Sequence, residues 1–151
     1  MNYFLSEEQE MIREMAAKIA KEKIEPIALE YDEGEIFPHE IVKILGSSDL
    51  YRVFIPEEYE GFGGGVFEMS LVVEELSKAC GGIALAYAAS GLGTIPIILF
   101  GSDEQKKKYL PPLAAGEHLA AFALTEPEAG SDAGATKTTA VANGDDFSID
   151  G

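Results

Sequence analysis

The sequence predicts a mainly helical domain that runs into the first strands of a β-domain, and three observations carry that prediction. Apolar residues recur at three- and four-residue intervals up to Tyr109, the period of α-helices buried on one face. Two capping boxes, Ser6-Glu7-Glu8-Gln9 and Ser102-Asp103-Glu104-Gln105, mark helix starts at either end of that region. Beyond residue 118 the pattern changes to short apolar stretches, 138–142 and 147–149, on either side of Asn143-Gly144-Asp145-Asp146, a hairpin signal built on Asn-Gly. A helical unit over residues 1–118 and the beginning of a β-unit over 119–151 follow from this division.

The elements can be justified in order. After Ser6, the spacing of Ile12, Met15, Ala16, Ile19, Ala20 and Ile24 predicts a helix, which Pro26 must kink or restart because it removes a backbone donor. Gly34 ends its continuation. A second helix begins near Pro38, buries Ile41, Val42, Ile44 and Leu45, and stops at Gly46. Residues 50–55 are apolar but short, and Pro56 cuts them off. The glycines of 57–65 invite a phosphate-loop reading. That motif needs a preceding strand and a following Lys-Ser or Lys-Thr, so the segment reads as a turn. A third helix over 66–79 sets Val66, Met69, Val72, Val73, Leu76 and Ala79 largely opposite Glu68, Glu74, Glu75 and Lys78.

Residues 83–100 follow, apolar on nearly every side, with Gly91, Gly93 and Pro96 as interruptions; such a helix is expected in the middle of a bundle. Its small residues leave room for either a close-packed helix or a ligand. The helix after Ser102 is expected to reach Leu110 and to be disturbed or ended by Pro111-Pro112. Residues 119–124 read as a further strand. A chain whose last element is one hairpin reads as cut short, because two or three strands cannot cover their own edges.

Composition narrows the partners. Eleven Lys and Arg against 27 Asp and Glu give a formal charge of −16, which disfavours nucleic acid and anionic membrane surfaces. No apolar stretch approaches the roughly 18 residues needed to cross a bilayer. A single cysteine, Cys80, excludes an internal disulfide, and the acidic start is unlike a secretory signal or a transit peptide. A cytoplasmic or organelle-matrix setting is the expectation. No HExxH, paired CxxC or P-loop is present, so no metal ligands are assigned.

The segment with most chemical character is Ala121-Phe122-Ala123-Leu124-Thr125-Glu126-Pro127-Glu128-Ala129-Gly130-Ser131-Asp132. It reads as a strand ending at Thr125, a turn at Pro127 and a loop of small residues. Gly130 lets backbone approach a ligand, and Thr125 and Ser131 offer hydroxyls. On composition alone it could equally be an acidic surface turn.

The run from Leu124 to Asp132 resembles the signature of the acyl-CoA dehydrogenase family at every defined position. Residues 55–63, Glu74-Glu75-Leu76-Ser77 and Gln105-Lys106-Lys107-Lys108-Tyr109-Leu110-Pro111 resemble other family segments in the right order. The resemblance implies an amino-terminal helical domain, a middle β-domain and a carboxy-terminal helical bundle, with FAD and an acyl-CoA thioester where they meet. It implies α,β-dehydrogenation, with hydride passing to the flavin and charge development met by fixed donors. By the same likeness, Phe122, Ala123, Leu124 and Thr125 run along the flavin ring, and Gly130 and Ser131 lie near its pyrophosphate or the CoA moiety. Leu85, Ala88, Ala89 and Leu92 line the acyl pocket. Ala88 leaves space for a chain longer or bulkier than butyryl. Phe122 stands where relatives usually carry Tyr, so any contact of that hydroxyl is lost.

The family's catalytic glutamate lies in the carboxy-terminal bundle, outside this sequence, and no residue here is assigned that role; Glu74, Glu75 and Glu126 match no such position. The family likeness also implies a tetramer that passes electrons to an electron-transferring flavoprotein. A non-catalytic helical module and the front of a related flavin oxidase are the competing readings.

Overall fold

The computed structural model describes residues 4–151. Helix α1 (Glu7–Ile19) starts at its capping box: the Gln9 amide donates to Ser6 Oγ at 3.2 Å and the Ser6 amide to Gln9 Oε1 at 2.9 Å. Ahead of Pro26 the helix loosens into a π turn over Ala20–Ile24 and then tightens into a 3₁₀ turn over Glu25–Ile27. Proline crowds the carbonyl four residues back and cannot donate to it, so the ladder changes pitch there. The short α2 (Ala28–Glu33) ends at Gly34, and α3 (His39–Ser47) buries Ile41, Val42 and Leu45, with Ile44 half-buried.

Two 3₁₀ turns, Leu50–Phe54 and Glu57–Tyr59, carry the chain into the glycine-rich turn. That turn closes on its own backbone: the Phe62 amide donates to Arg52 O at 2.8 Å and the Gly63 amide to Ile55 O at 2.9 Å. A Cβ at Gly61 would lie 1.8 Å from the Ile55 carbonyl oxygen, so tight packing accounts for that glycine.

Helix α4 (Val66–Ala79) lies between α1 and α5 (Gly81–Phe100), and α6 (Asp103–Ala114) packs on α5. The core is one cluster drawn from α1, α3, the 50–55 segment, α4, α5 and α6. Leu45, Ile55, Val72, Leu76, Tyr87 and Leu110 lie at its centre. Tyr51, Phe54 and Tyr87 form its aromatic part, with ring centroids 5.1 Å apart for Tyr51–Tyr87 and 6.1 Å for Phe54–Tyr87.

Several expectations are corrected. Glu75 is buried rather than on the outer face of α4, and its carboxylate is paired with Lys78 Nζ at 2.7 Å. Helix α5 runs without a break through Gly91, Gly93 and Pro96, and α6 runs through Pro111 and Pro112 to Ala114. The carbonyls that these prolines leave without a helical donor belong to exposed residues (Leu92, Lys107, Lys108), where water can serve them. The buried Leu110, Leu113 and Ala114 hold the far end of α6 against the core.

Because α5 is unbroken, it is also long and apolar enough, by length and composition, to cross a membrane, contrary to the expectation. In the fold it packs on α3, α4 and α6, burying Tyr87, Ser90, Gly93 and Thr94. It is not buried all round, however: Leu85, Leu92, Leu99 and Phe100 are exposed. One face of an all-apolar helix is therefore left open.

The β portion is a single antiparallel hairpin, β1 (Thr139–Asn143) and β2 (Asp146–Asp150), in the register Thr139↔Asp150 to Asn143↔Asp146. The two-residue turn is Gly144-Asp145, at the centre of the expected 143–146 segment. Gly144, at φ 64°, takes the left-handed position, and Asn143 joins the ladder. Residues 119–124 form no strand. An extended segment becomes a strand only through ladder bonds, and the hairpin pairs with itself instead.

Candidate functional site

The signature segment is held against α5 by two small residues. Ser90, buried on α5, accepts a hydrogen bond from the Ala120 amide at 3.2 Å, and its own carbonyl accepts from Thr94 Oγ1 at 2.7 Å. One turn on, Gly93 lets the backbone of 120–121 lie directly on the helix. A Cβ there would sit 2.6 Å from the Ala121 nitrogen and 2.8 Å from the Ala120 carbonyl carbon. Sequence reasoning missed both roles. The signal present was a small residue at each of Ser90 and Gly93, three apart on one face of the helix, among several other small residues that made it easy to overlook.

From this anchor the chain runs on through Ala121, Phe122, Ala123, Leu124 and Thr125, all exposed and outside any helix or strand. Among the described residues, the amides of 121–125 donate to no protein acceptor, and neither the Thr125 nor the Ser131 hydroxyl is hydrogen-bonded. Then Glu126 and Ala129 close a tight turn around Pro127. The Glu126 amide donates to Ala129 O, and the Ala129 amide to Glu126 O, each at 3.2 Å. Ala129 is buried within this otherwise exposed stretch. Gly130 has open space where a Cβ would stand.

Residues 121–125 thus offer a row of unsatisfied backbone donors and acceptors, two half-exposed apolar side chains (Phe122 and Leu124) and a terminal hydroxyl. Such a strip fits the edge and face of a flat, hydrogen-bonding ring system. The turn beyond presents Gly130 and Ser131 without steric cover, which suits a phosphate-bearing extension. The residues present therefore fit a flavin dinucleotide.

On α5, Leu85, Ala88, Ala89 and Leu92 share the partly open face. Leu85 and Ala89 line a groove of about 510 Å³ together with Tyr31, Ile36, Phe37 and Cys80. Ala88 and Leu92 lie outside it. A larger groove, about 850 Å³, opens between α1 and the glycine-rich turn, lined in part by Gln9, Ile12, Met15, Phe62 and Glu68. None of the sequence-predicted site residues lines it. Glu68 clamps this corner: its carboxylate accepts from Gln9 Nε2 and from the Gly65 amide, each at 2.8 Å. These donors, Gln9 first, hold the Glu68 carboxyl below its ordinary value.

The geometry has clear counterparts among known proteins. Residues 6–117 match the family model described as acyl-CoA dehydrogenase, N-terminal domain. The probable acyl-CoA dehydrogenase YngJ of Bacillus subtilis (strain 168) is 47% identical over 152 residues, covering 100% of this chain and 40% of that protein. Butyryl-CoA dehydrogenase from Megasphaera elsdenii superposes with a TM-score of 0.91 at 35% identity, over 100% of this chain and 41% of that one. A chain from a structure titled for the electron transferring flavoprotein of Acidaminococcus fermentans superposes at 0.93 with 42% identity, again over 100% of this chain and 40% of its own length. The chain therefore spans about 40% of the length of the relatives it matches. With a family model over most of its length and a relative at this identity, the chain belongs to the acyl-CoA dehydrogenase family.

Proposed function

We propose that this chain is the front part of an FAD-dependent acyl-CoA dehydrogenase, contributing one wall of the flavin site and one wall of the acyl pocket. The observation that carries this reading is the docking of the signature segment onto α5 through Ser90 and Gly93. That contact fixes residues 120–121, at the head of the strip, against α5. When bound, the flavin would supply the hydride acceptor.

The chain's own residues bind, orient and exclude water. Phe122, Ala123, Leu124 and Thr125 would lie along the ring, their unpaired amides and the Thr125 hydroxyl meeting its polar edge. Gly130 and Ser131 would receive the phosphate-bearing end of the cofactor or of CoA. The apolar face of Leu85, Ala88, Ala89 and Leu92 would line the acyl chain and keep water from it. The base that removes the substrate's α-proton would come from beyond residue 151. Acyl-CoA oxidation as part of fatty acid metabolism, in cytoplasm or mitochondrial matrix, is the corresponding biological role. A homotetramer and an electron-transferring flavoprotein as acceptor complete the reading.

The test compares the 151-residue chain with a protein in which it continues to the length of its relatives. Each is mixed with excess FAD, freed of unbound ligand, scanned in the visible and assayed on acyl-CoA thioesters with an artificial acceptor. The long form is expected to be yellow and active, and the short chain to retain no stoichiometric flavin, since a ligand site normally encloses most of its ligand. A colourless, inactive long form would overturn the reading and favour a helical module without chemistry.

A further inference from the structure

Glu126 does more than occupy the second position of the signature. Its carboxylate reaches across the loop and collects three donors: the Lys137 amide at 2.7 Å on Oε2, and the Thr138 amide at 3.0 Å and the Thr138 hydroxyl on Oε1. Beside it, Lys137 Nζ pairs with the carboxylate of Glu128. Residues 127–136, which include Gly130 and Ser131, are thereby tied at both ends, while nearly all of them are exposed. Within the loop only local bonds remain: the Glu126–Ala129 turn and the Ala135 amide on Asp132 O at 3.0 Å. An exposed loop with so few internal bonds takes its shape from how its ends are held.

We propose that Glu126 is a positioning residue, a carboxylate latch that closes residues 127–136 and sets where Gly130 and Ser131 are presented to a phosphate-bearing ligand. The proposal rests on the flavin reading given above. The chemistry suits a carboxylate, because three donors from Lys137 and Thr138 point at it and both of its oxygens accept. Glutamine keeps the length but turns one acceptor into a donor. Aspartate keeps both acceptors but falls a methylene short. The same donors, the Lys137 amide foremost, hold the Glu126 carboxyl below its ordinary value, so the latch is ionised at neutral pH.

The test has two arms. In the 151-residue chain without flavin, amide hydrogen exchange is measured at Lys137 and Thr138 for the wild type, Glu126→Gln and Thr138→Val. Glu126→Gln is expected to lose about tenfold in protection at one or both amides, the equivalent of one charge-assisted hydrogen bond. Thr138→Val, which removes only the hydroxyl donor, is expected to lose less. Unchanged protection in Glu126→Gln would show that no latch exists. Should Glu126→Gln fail to fold, Thr138→Val decides the same point by its own loss of protection or lack of it.

In the second arm, FAD is titrated into the form that has the length of its relatives, followed by flavin fluorescence and the position of the visible band. Glu126→Gln is expected to weaken FAD binding about tenfold and to shift the band, with Glu126→Asp recovering part of both. Lost protection with unchanged FAD binding would overturn the positioning role. A wild-type protein that binds no FAD would instead overturn the flavin reading, whatever the exchange data show.

Discussion

Two regions of this chain solve the burial problem in opposite ways. The helical region, up to Ala114, closes a core of its own in which Val72, Leu76, Tyr87, Leu110 and Ala114 are fully buried. The hairpin beyond buries nothing: every residue of β1 and β2 is exposed, including Val141, Phe147 and Ile149. Between them, the signature segment is attached at a few points: Ser90, Gly93 and the Glu126 carboxylate. A helix bundle can be complete within one run of sequence because its contacts are largely local, whereas a two-stranded hairpin needs further strands or a covering layer to bury a face. The functional segment lies on the border, ordered by the bundle at one end and by its own loop at the other.

The largest effect should separate the two regions directly. Leu76→Ala, at a fully buried position, is expected to cost about 2–5 kcal/mol in urea unfolding, whereas Ile149→Ala on the exposed hairpin should stay within about 0.5 kcal/mol. Equal costs would mean that the hairpin is packed in solution and the contrast is false.

The two buried tyrosines sharpen the picture inside the core. Tyr87 Oη donates to the Leu50 carbonyl at 2.8 Å, so Tyr87→Phe removes a hydrogen bond inside the core and should cost about 0.5–1.5 kcal/mol. Tyr51 Oη is buried with no partner among the described residues, and burial pushes its ionisation up to about 12. Tyr51→Phe should therefore be neutral or stabilising, by up to about 1 kcal/mol. Paired thermal melts of the two variants check the sign of the difference.

At the border, Gly93→Ala should cost about 1–3 kcal/mol by overpacking against the 120–121 backbone. Its specific signature is faster hydrogen exchange of the Ala120 amide while the α1–α4 contact stays protected. On the same helix, Ala88→Phe in the form with the length of its relatives should shorten the preferred acyl chain, forgoing roughly 0.8 kcal/mol for each methylene excluded. An unchanged chain-length profile would mean that Ala88 faces away from the pocket.

The smallest effect is one of pH. The Glu68 carboxyl is depressed below 4.5 by the Gln9 side chain and the Gly65 amide. A depressed carboxylate contributes stability that is present above its unfolded value and lost as pH falls through its folded one. The α1–α4 clamp should thus hold at neutral pH and release as pH falls through the lowered folded value of Glu68, seen as loss of protection at the Gly65 amide. In Glu68→Gln that pH dependence should disappear.

The sequence by itself determined most of the helices, the two capped starts and the family. Capping boxes, apolar periodicity and the run from Leu124 to Asp132 are local patterns, and the chain obeys them wherever the deciding contact lies within a few residues. Tertiary structure decided the rest. It carried α5 and α6 through their prolines, because the freed carbonyls face water while buried neighbours hold the helices in place. It buried Glu75 beside Lys78 and left one face of an all-apolar helix open. It left 119–124 without strand pairing. Above all, it gave Ser90, Gly93 and Glu126 their roles, since each acts on residues distant in sequence: 30 positions for Ser90 and Ala120, and 11 and 12 for Glu126 with Lys137 and Thr138. A periodic pattern records which face is apolar, but not which distant backbone amide will need an acceptor or a missing Cβ.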